Sequence, residues 1–561
     1  MWPGDSGVLT VGRVNVSIDN RVLRENEDAV AGEGSCGLRR RRSSRHNGAD
    51  RIQARATAIV YQEKARTALT QAQDNQATGI DGHGRSLLNE KATSDGRIAF
   101  MPGVRQALAD APLQRAVSLA TLKKTDVRNA SFARLKHAED IRTLAARIKQ
   151  HTLDHLDRYL EQFVANVERL GGVVHFAETG ADANAIICRI ARDNGSRLCV
   201  KAKSMTTEET HLNAALEKIG VQTVETDLGE FIVQIDHDRP SHIVTPIIHK
   251  DRFTVARAMH RELGVPYTED PTELTQHART YLRDIFRRAD LGVTGVNFAI
   301  ADTGTICLCT NEGNGRLCTT RPKVHVALMG IEKVIPKFTD LPVFLKMLAR
   351  SSTGQPLTVY TSLITGPRKP HDPDGPEQLH VVILDAGRTG ILSQEEYREV
   401  LRCIRCGACL NGCPVYRKIG GHAYQSTYPG PIGKLVTPLL KGLEPYADLP
   451  QASSLCGVCR EVCPVRIDIP EILVKLRRDE VDRKIVGPLH RLAFQLAAWT
   501  FAAPWRYRLA QRMMRFFLGL HAADGYTSSL PLKSATRVRD VAVPPGPSFR
   551  SRWVAGLKDD V

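Results

Sequence analysis

No run of about 18 apolar residues occurs anywhere in the 561-residue sequence, so no segment is expected to span a bilayer. The opening stretch, MWPGDSGVLTVGRVNVSIDN, lacks the apolar core of a secretory leader, and a cytoplasmic protein is expected. No Walker A run is present. The Gly-rich stretch GNGRLC (313–318) lacks the third glycine of a dinucleotide fingerprint. The sequence therefore offers no support for a flavin or nicotinamide site. Acidic residues are fewer than basic ones, 61 against 77, for a net charge of +16. The basic residues are spread along the chain, which argues against a nucleic-acid surface. Two places are locally rich: LRRRRSSRH (38–46), and the tail from Arg491, with 11 Lys/Arg against 4 Asp/Glu. The plain reading of both is solvated surface. For the tail, a docking face for an acidic partner or for the inner, anionic face of a membrane is the sharper one.

With 42% hydrophobic and 25% charged residues, the composition is that of a globular chain, and its length implies several domains. Residues 1–95 show weak apolar periodicity and read as a disordered extension, with one short helix near Ala54–Gln71. Residues 96–172 read as helical: Ile141, Leu144, Ile148, Leu156, Leu160, Phe163 and Val167 recur at helical spacing until Gly171-Gly172. From 173 to 392 strands and helices alternate, the pattern of an α/β domain with a largely parallel sheet. VVHFA, RLCVKAK, VQTVET and EFIVQI read as strands. GVNFAIADT, TICLCT, VHVALMG and LHVVILD extend the sheet. Ser393-x-x-Glu396 reads as a capping box leading into residues 393–485, where short helices should alternate with loops.

That last region carries the chemistry. CIRCGACLNGCP places Cys403, Cys406, Cys409 and Cys413 at the C-x2-C-x2-C-x3-C-P spacing of a bacterial ferredoxin run. SSLCGVCREVCPV repeats it fifty residues later with Cys456, Cys459 and Cys463. In such runs the fourth thiolate crosses to the other cluster. One cluster then takes Cys403, Cys406, Cys409 and Cys463, and the other takes Cys413, Cys456 and Cys459. Ser453 stands where a fourth cysteine would. The second cluster is therefore a four-iron form with serine or water as a ligand, a three-iron form, or one whose open iron takes an outside group. Zinc is the rival occupant, and seven cysteines with two Cys-Pro endings fit iron–sulfur better. The other cysteines are scattered. Between the motifs, YRKIGGHAYQSTYPGPIGKLVTPLL reads as an ordered irregular loop over the clusters. Its His422, Tyr424 and Tyr428 either tune a cluster or only pack.

KSMTTEE (203–209), ETDLGEFIVQI (225–235), PSHIV (240–244), GVNFAIADTG (295–304), NEGNGR (311–316) and the two cysteine motifs together resemble the lactate utilization iron–sulfur protein family (LutB-like) from about residue 100 onward. The resemblance implies a fold. It is an α/β lactate-utilization (LUD) domain akin to the NagB/RpiA/CoA-transferase fold, followed by an α-helical ferredoxin-like module and a family-specific region over 486–561. It implies two iron–sulfur clusters held by the seven cysteines, and electron transport during oxidation of L-lactate to pyruvate. It also implies two partners, a smaller cysteine-rich iron–sulfur protein and a second LUD protein.

Within the α/β domain, KSMTTEE follows a strand and opens a helix, with Thr206-x-x-Glu209 as a capping box. Lys203, Ser204, Thr206, Asn314 and Arg316 are candidates to hold a small anion; the plain alternative is structural turns. No catalytic residue is singled out. In LHRLAFQLAAWTFAAPWRYRLAQRMMRFF, Pro504 should divide two helices, packed on the cluster module in the plain reading. Three roles follow: an electron carrier, a dehydrogenase binding lactate itself, or a redox-sensing scaffold.

Overall fold

The computed structural model describes residues 96–520, 525–527, 540–543 and 549–556. The expectations for residues 1–95, including the helix near Ala54–Gln71, lie outside them. Six parallel strands form the central sheet: β1 (Val173–Ala177), β2 (Leu198–Lys201), β3 (Gln222–Glu225), β4 (Leu291–Thr294), β7 (Val324–Gly330) and β10 (Gln378–Leu384). Their order is β1-β10-β7-β4-β2-β3. Register pairs Val174 with Val381 and Val200 with Gly292. Successive side chains point to opposite faces, and both faces are covered. Cys199 packs with Ile187, Leu212 and Leu216 on one side, whereas Leu198 and Val200 pack with Phe231, Met259 and Ile285 on the other. These are the two apolar layers of a doubly wound α/β domain.

Three strand expectations need correction. GVNFAIADT and TICLCT do not extend this sheet. They form β5 (Phe298–Ile300) and β6 (Thr305–Thr310) of a second sheet, ordered β8-β5-β6-β9 with β8 (Val334–Ile335) and β9 (Tyr360–Ile364). EFIVQI is not a strand but part of the helix Leu228–Ile235, capped by Asp227, whose carboxylate accepts from the N–H groups of Gly229 and Glu230. The segment TEETHLNAALEKIG is two helices, Met205–Thr210 and Leu212–Lys218, divided at His211 in the left-handed region (φ 55°). The cap of the first is Ser204, which accepts from Thr207 N, and not Thr206. Ser393 ends a helix (Arg388–Ser393) instead of starting one, because its hydroxyl donates to Gly390 O.

The cluster module is helical, with short helices at Ala408–Gly412, Pro414–Ile419, Gly430–Lys441, Val458–Glu461 and Ile469–Asp482. The expected irregular loop between the motifs is therefore mostly helix. The long Ala111–Ala133 helix packs on both the Leu341–Thr353 helix of the α/β domain and the cysteine-bearing helices. The C-terminal pair, Pro488–Phe501 and Pro504–Leu520, breaks at Pro504 as expected. It buries no residue, so the expected packing on the cluster module is absent. No described helix is long and apolar enough to cross a membrane.

Candidate functional site: a cysteine module beside an α/β cavity

The backbone repeats what the sequence repeats. Arg405 and Gly407 flank Cys406 in left-handed conformations (φ 60° and 74°); Leu455 and Gly457 flank Cys456 likewise (φ 52° and 85°). Each turn leads into a short helix, Ala408–Gly412 or Val458–Glu461, with a Cys-Pro just beyond its end. The Cys403 sulfur accepts from Arg405 N at 3.4 Å, and at the matching place the Ser453 hydroxyl oxygen accepts from Leu455 N at 3.2 Å. Serine thus occupies the structural position of the missing cysteine.

Cys403, Cys406, Cys409 and Cys463 line one small cavity, closed by Ile404, Ile432, Val465, Ile467 and Ile469. Cys413, Cys456 and Cys459 lie outside it. Cys413 and Cys456 are close enough to Cys459 to raise its thiol electrostatically, after burial, to about 12. Burial also holds Cys406 at about 12 and Cys463 at about 11, so binding a metal must displace protons. Among the described residues no three cysteine sulfurs lie within 4.8 Å of one another. Four thiolates on one zinc at about 2.3 Å would sit about 3.8 Å apart, closer than these sulfurs come in threes. Arg142 fixes the chain at Cys463, donating to its carbonyl at 2.8 Å and to Glu461 O at 2.5 Å; Arg128 donates to Val462 O at 3.0 Å.

A second, larger cavity of about 350 Å³ opens where β2 and β4 end. After β2 the chain turns outward to β3, then returns on the other side as β4, so this is the topological switch point of the sheet. Ligands of open α/β sheets bind at such crevices. Gly295 after β4 lets the two loops meet: a Cβ there would lie 2.7 Å from the Ser204 hydroxyl. Lys203, Lys333 and Arg405 bring positive charge to the lining, and Asp227 and Glu312 negative charge. Burial, reinforced by Arg405 and opposed by Glu332, lowers the Lys333 ammonium to about 8. Arg405 lines both cavities.

A buried clasp holds the two parts together. Arg388, 1% exposed, grips Glu209 with two parallel bonds of 2.9 and 2.8 Å and donates through Nε to Glu332 at 2.8 Å. Tyr428 of the cluster module donates to Glu209 at 2.6 Å, and its ring lies under the Arg405 guanidinium, 4.5 Å from centroid to carbon.

A family model described as "LUD domain" matches residues 160–384, and one described as "4Fe-4S dicluster domain" matches 399–467. "Lactate utilization protein B" of Shouchella clausii is 44% identical over 82% of this chain and 97% of its own length. The chain belongs to the lactate utilization protein B family. The Geobacillus thermodenitrificans member is 48% identical over 74% of this chain and 88% of its own. The "Uncharacterized electron transport protein YkgF" of Escherichia coli is 43% identical over 81% of this chain and 95% of its own. A solved structure, a duf162 family protein from Deinococcus radiodurans, covers 41% of this chain and 98% of its own at 15% identity, with a TM-score of 0.23.

In this lactate utilization protein B family member the dicluster domain contains all seven motif cysteines, and its cofactor is iron–sulfur. Of the five anion-site candidates, Lys203, Ser204, Thr206 and Asn314 line the larger cavity. Arg316 does not. It is exposed on the Asn314–Thr320 helix, because the Gly-rich turn ahead of it begins a helix that carries its side chain outward. His422 donates to Arg239 O at 2.7 Å, Tyr424 packs against Phe100 and Tyr416, and Tyr428 belongs to the clasp. None of the three lines the cysteine cavity. Arg405 and Lys333 were missed by sequence reasoning. The available signal was a basic residue inside a C-x-x-C pair, which spacing alone does not distinguish from a solvated side chain.

Proposed function

We propose that the chain is an electron-transfer iron–sulfur subunit of a system oxidising L-lactate to pyruvate. The supporting observation is the pair of interleaved cysteine motifs, with Cys463 of the second lining one cavity with Cys403, Cys406 and Cys409 of the first. In this reading those four hold cluster one, and Cys413, Cys456 and Cys459 hold cluster two. Of the possible fourth ligands of cluster two, Ser453 is favoured by its correspondence to Cys403. Bound clusters supply one-electron acceptance and donation. The chain's own residues orient the cysteines: Arg128 and Arg142 anchor the carbonyls around Cys463, and backbone N–H groups of Arg405, Tyr416 and Ile467 donate to the sulfurs of Cys403, Cys413 and Cys463.

The partners are a smaller cysteine-rich iron–sulfur protein and a second LUD protein. The docking face is the C-terminal helix pair, where Phe494, Trp499, Phe501, Trp505, Phe516 and Phe517 are more than half exposed beside Arg506, Arg508, Arg512 and Arg515. Binding to anionic vesicles would assign that face to a membrane surface instead.

A second reading, that this chain is itself the dehydrogenase, is favoured by the larger cavity meeting the cysteine cavity at Arg405. Anaerobic addition of L-lactate to the reconstituted protein separates the two. Bleaching of the cluster absorbance only when both partners are present is expected of a carrier. Bleaching by lactate alone makes the chain the dehydrogenase. No bleaching in either case, with clusters present, overturns both.

A further inference from the structure

We propose that Lys434 is the charge partner of cluster two: its buried ammonium donates hydrogen bonds to that cluster and holds its reduction potential up. This rests on the ligand assignment above, with Cys413, Cys456 and Cys459 on cluster two. It goes further in naming a residue, not itself a ligand, that sets the energy at which an electron is held.

Lys434 lies in the Gly430–Lys441 helix, which packs on the Ala408–Gly412 helix of the first motif. Two residues before it, Ile432 lines the cysteine cavity. Lys434 is 0% exposed. An ammonium carries three N–H donors. Among the described residues this one donates to a single acceptor, the carbonyl of Ala452, and makes no ion pair. Its Nζ also faces the Tyr424 ring, 5.7 Å from the centroid, and the Tyr424 hydroxyl is itself buried with no hydrogen-bond partner. A buried cation without a counter-charge is costly, and so is a buried donor without an acceptor.

The place of the ammonium shows what supplies both. On one side is Ala452, next to Ser453 at the head of the second motif. On the other is Tyr424, whose ring packs on Tyr416, 6.3 Å between centroids, and the Tyr416 N–H donates to the Cys413 sulfur at 3.5 Å. Lys434 is thus enclosed between the segments that carry Cys413 and Cys456. The electrostatics agree. Burial pushes the ammonium down, while Cys413, Cys459 and then Cys409, as thiolates, pull it back up against Arg477. The first two are cluster-two ligands in the assignment. Holding the backbone in place does not require Lys434 alone, because Arg477 donates to Pro450 O at 2.9 Å and to Ser453 O at 3.1 Å. A fixed cation beside a cluster favours its reduced, more negative form, and net charge and hydrogen bonds to sulfur are levers on its potential.

An EPR-monitored redox titration of the full, cluster-loaded chain tests this, with dithionite as reductant and no lactate. Cys456→Ala first identifies the signal of cluster two as the one it removes or alters. In Lys434→Met and Lys434→Gln, with iron content unchanged, the midpoint of that signal should fall. The expected change is about tenfold in the reduction equilibrium, or about 59 mV for one electron, with a smaller change in the other signal. Lys434→Arg, which keeps the charge, should hold most of the native value. Lys434→Gln keeps a donor for Ala452 O, so an unchanged midpoint there makes Lys434 a structural peg and overturns the proposal. Equal shifts in the Arg and Gln variants overturn it as well. The unsubstituted protein gives a second measurement that no folding defect can obscure. With lysine side chains labelled with 15N, pulsed EPR of the cluster-two signal should show a 15N coupling, and its absence overturns the hydrogen bond. Should Cys456→Ala leave both signals intact, the ligand assignment fails and takes the proposal with it. Unmoved midpoints with that assignment upheld sink the role of Lys434 alone.

Discussion

Glu230, 3% exposed beside Lys203, is pushed up to about 7 by burial, with Lys203 pulling it down and Glu225 and Glu208 raising it further. Its folded value lies above the ordinary 4.5, so folding favours the protonated form. That contribution is complete below about 4.5 and is lost as pH rises through about 7. Urea unfolding should therefore show the native protein losing stability across this window relative to Glu230→Gln, by at most about 1.4 kcal/mol per pH unit. Equal slopes would mean that Lys203 keeps Glu230 ionised throughout. Ser453 offers a second test. Ser453→Cys places a thiol where the first motif has Cys403, and it should change the EPR signal of one cluster while sparing the other. On the proposed assignment, Cys463→Ala should instead remove the cluster assigned to Cys403, Cys406 and Cys409, although it belongs to the second motif. The cysteines were legible because thiolate ligation demands fixed spacing. Arg405 was not, because its role comes from a cavity contributed by chain about a hundred and two hundred residues away.

Among the elements, those with a strong single period were legible: β1, β2, β3, β7 and β10 all lie where alternation or continuous apolar character placed them. EFIVQI was misread because its β-branched, apolar composition suits a buried strand and a buried helix equally. The deciding signal was Asp227-x-x-Glu230, an N-cap pattern just before it. The second sheet was invisible because β8 is two residues long and β9 is largely exposed, leaving little pattern to read. The clasp joins elements that no local pattern connects. Arg388→Ala leaves Glu209 buried without its cation, and takes from Glu332 the strongest of the charges that hold it, against burial, at about 2, leaving it Arg405. Such removals cost about 3–5 kcal/mol, and thermal or denaturant unfolding should show a loss of that order. At another contact, a Cβ on Gly421 would lie 1.9 Å from Ser241 O. Gly421→Ala should therefore raise amide exchange in residues 238–250 and 414–424 together; a change confined to one segment would mean that the contact does not couple them.

For the molecule as a whole, the α/β domain and the cysteine module differ in what they rest on. The sheet is buried between two apolar layers, whereas the module is made of short helices around cysteines, of which Cys406, Cys409, Cys459 and Cys463 are kept protonated by burial until metal displaces the protons. Stripping iron anaerobically with a chelator should raise amide exchange over 399–467 and along the Ala111–Ala133 helix packed on it, with the sheet still protected. Loss of protection in the sheet as well would make the two parts a single cooperative unit. The interleaved motifs also set a property of the covalent chain. On the proposed assignment, with Cys409 and Cys463 on one cluster and Cys413 and Cys459 on the other, the segment between the motifs would be a ring closed twice by inorganic bridges. Unlike a disulfide, such a bridge is not kept by the unfolded chain, so it stabilises the folded module through binding itself. A single protease cut inside that ring would leave both fragments attached, migrating as one species under native conditions and as two once the iron is gone.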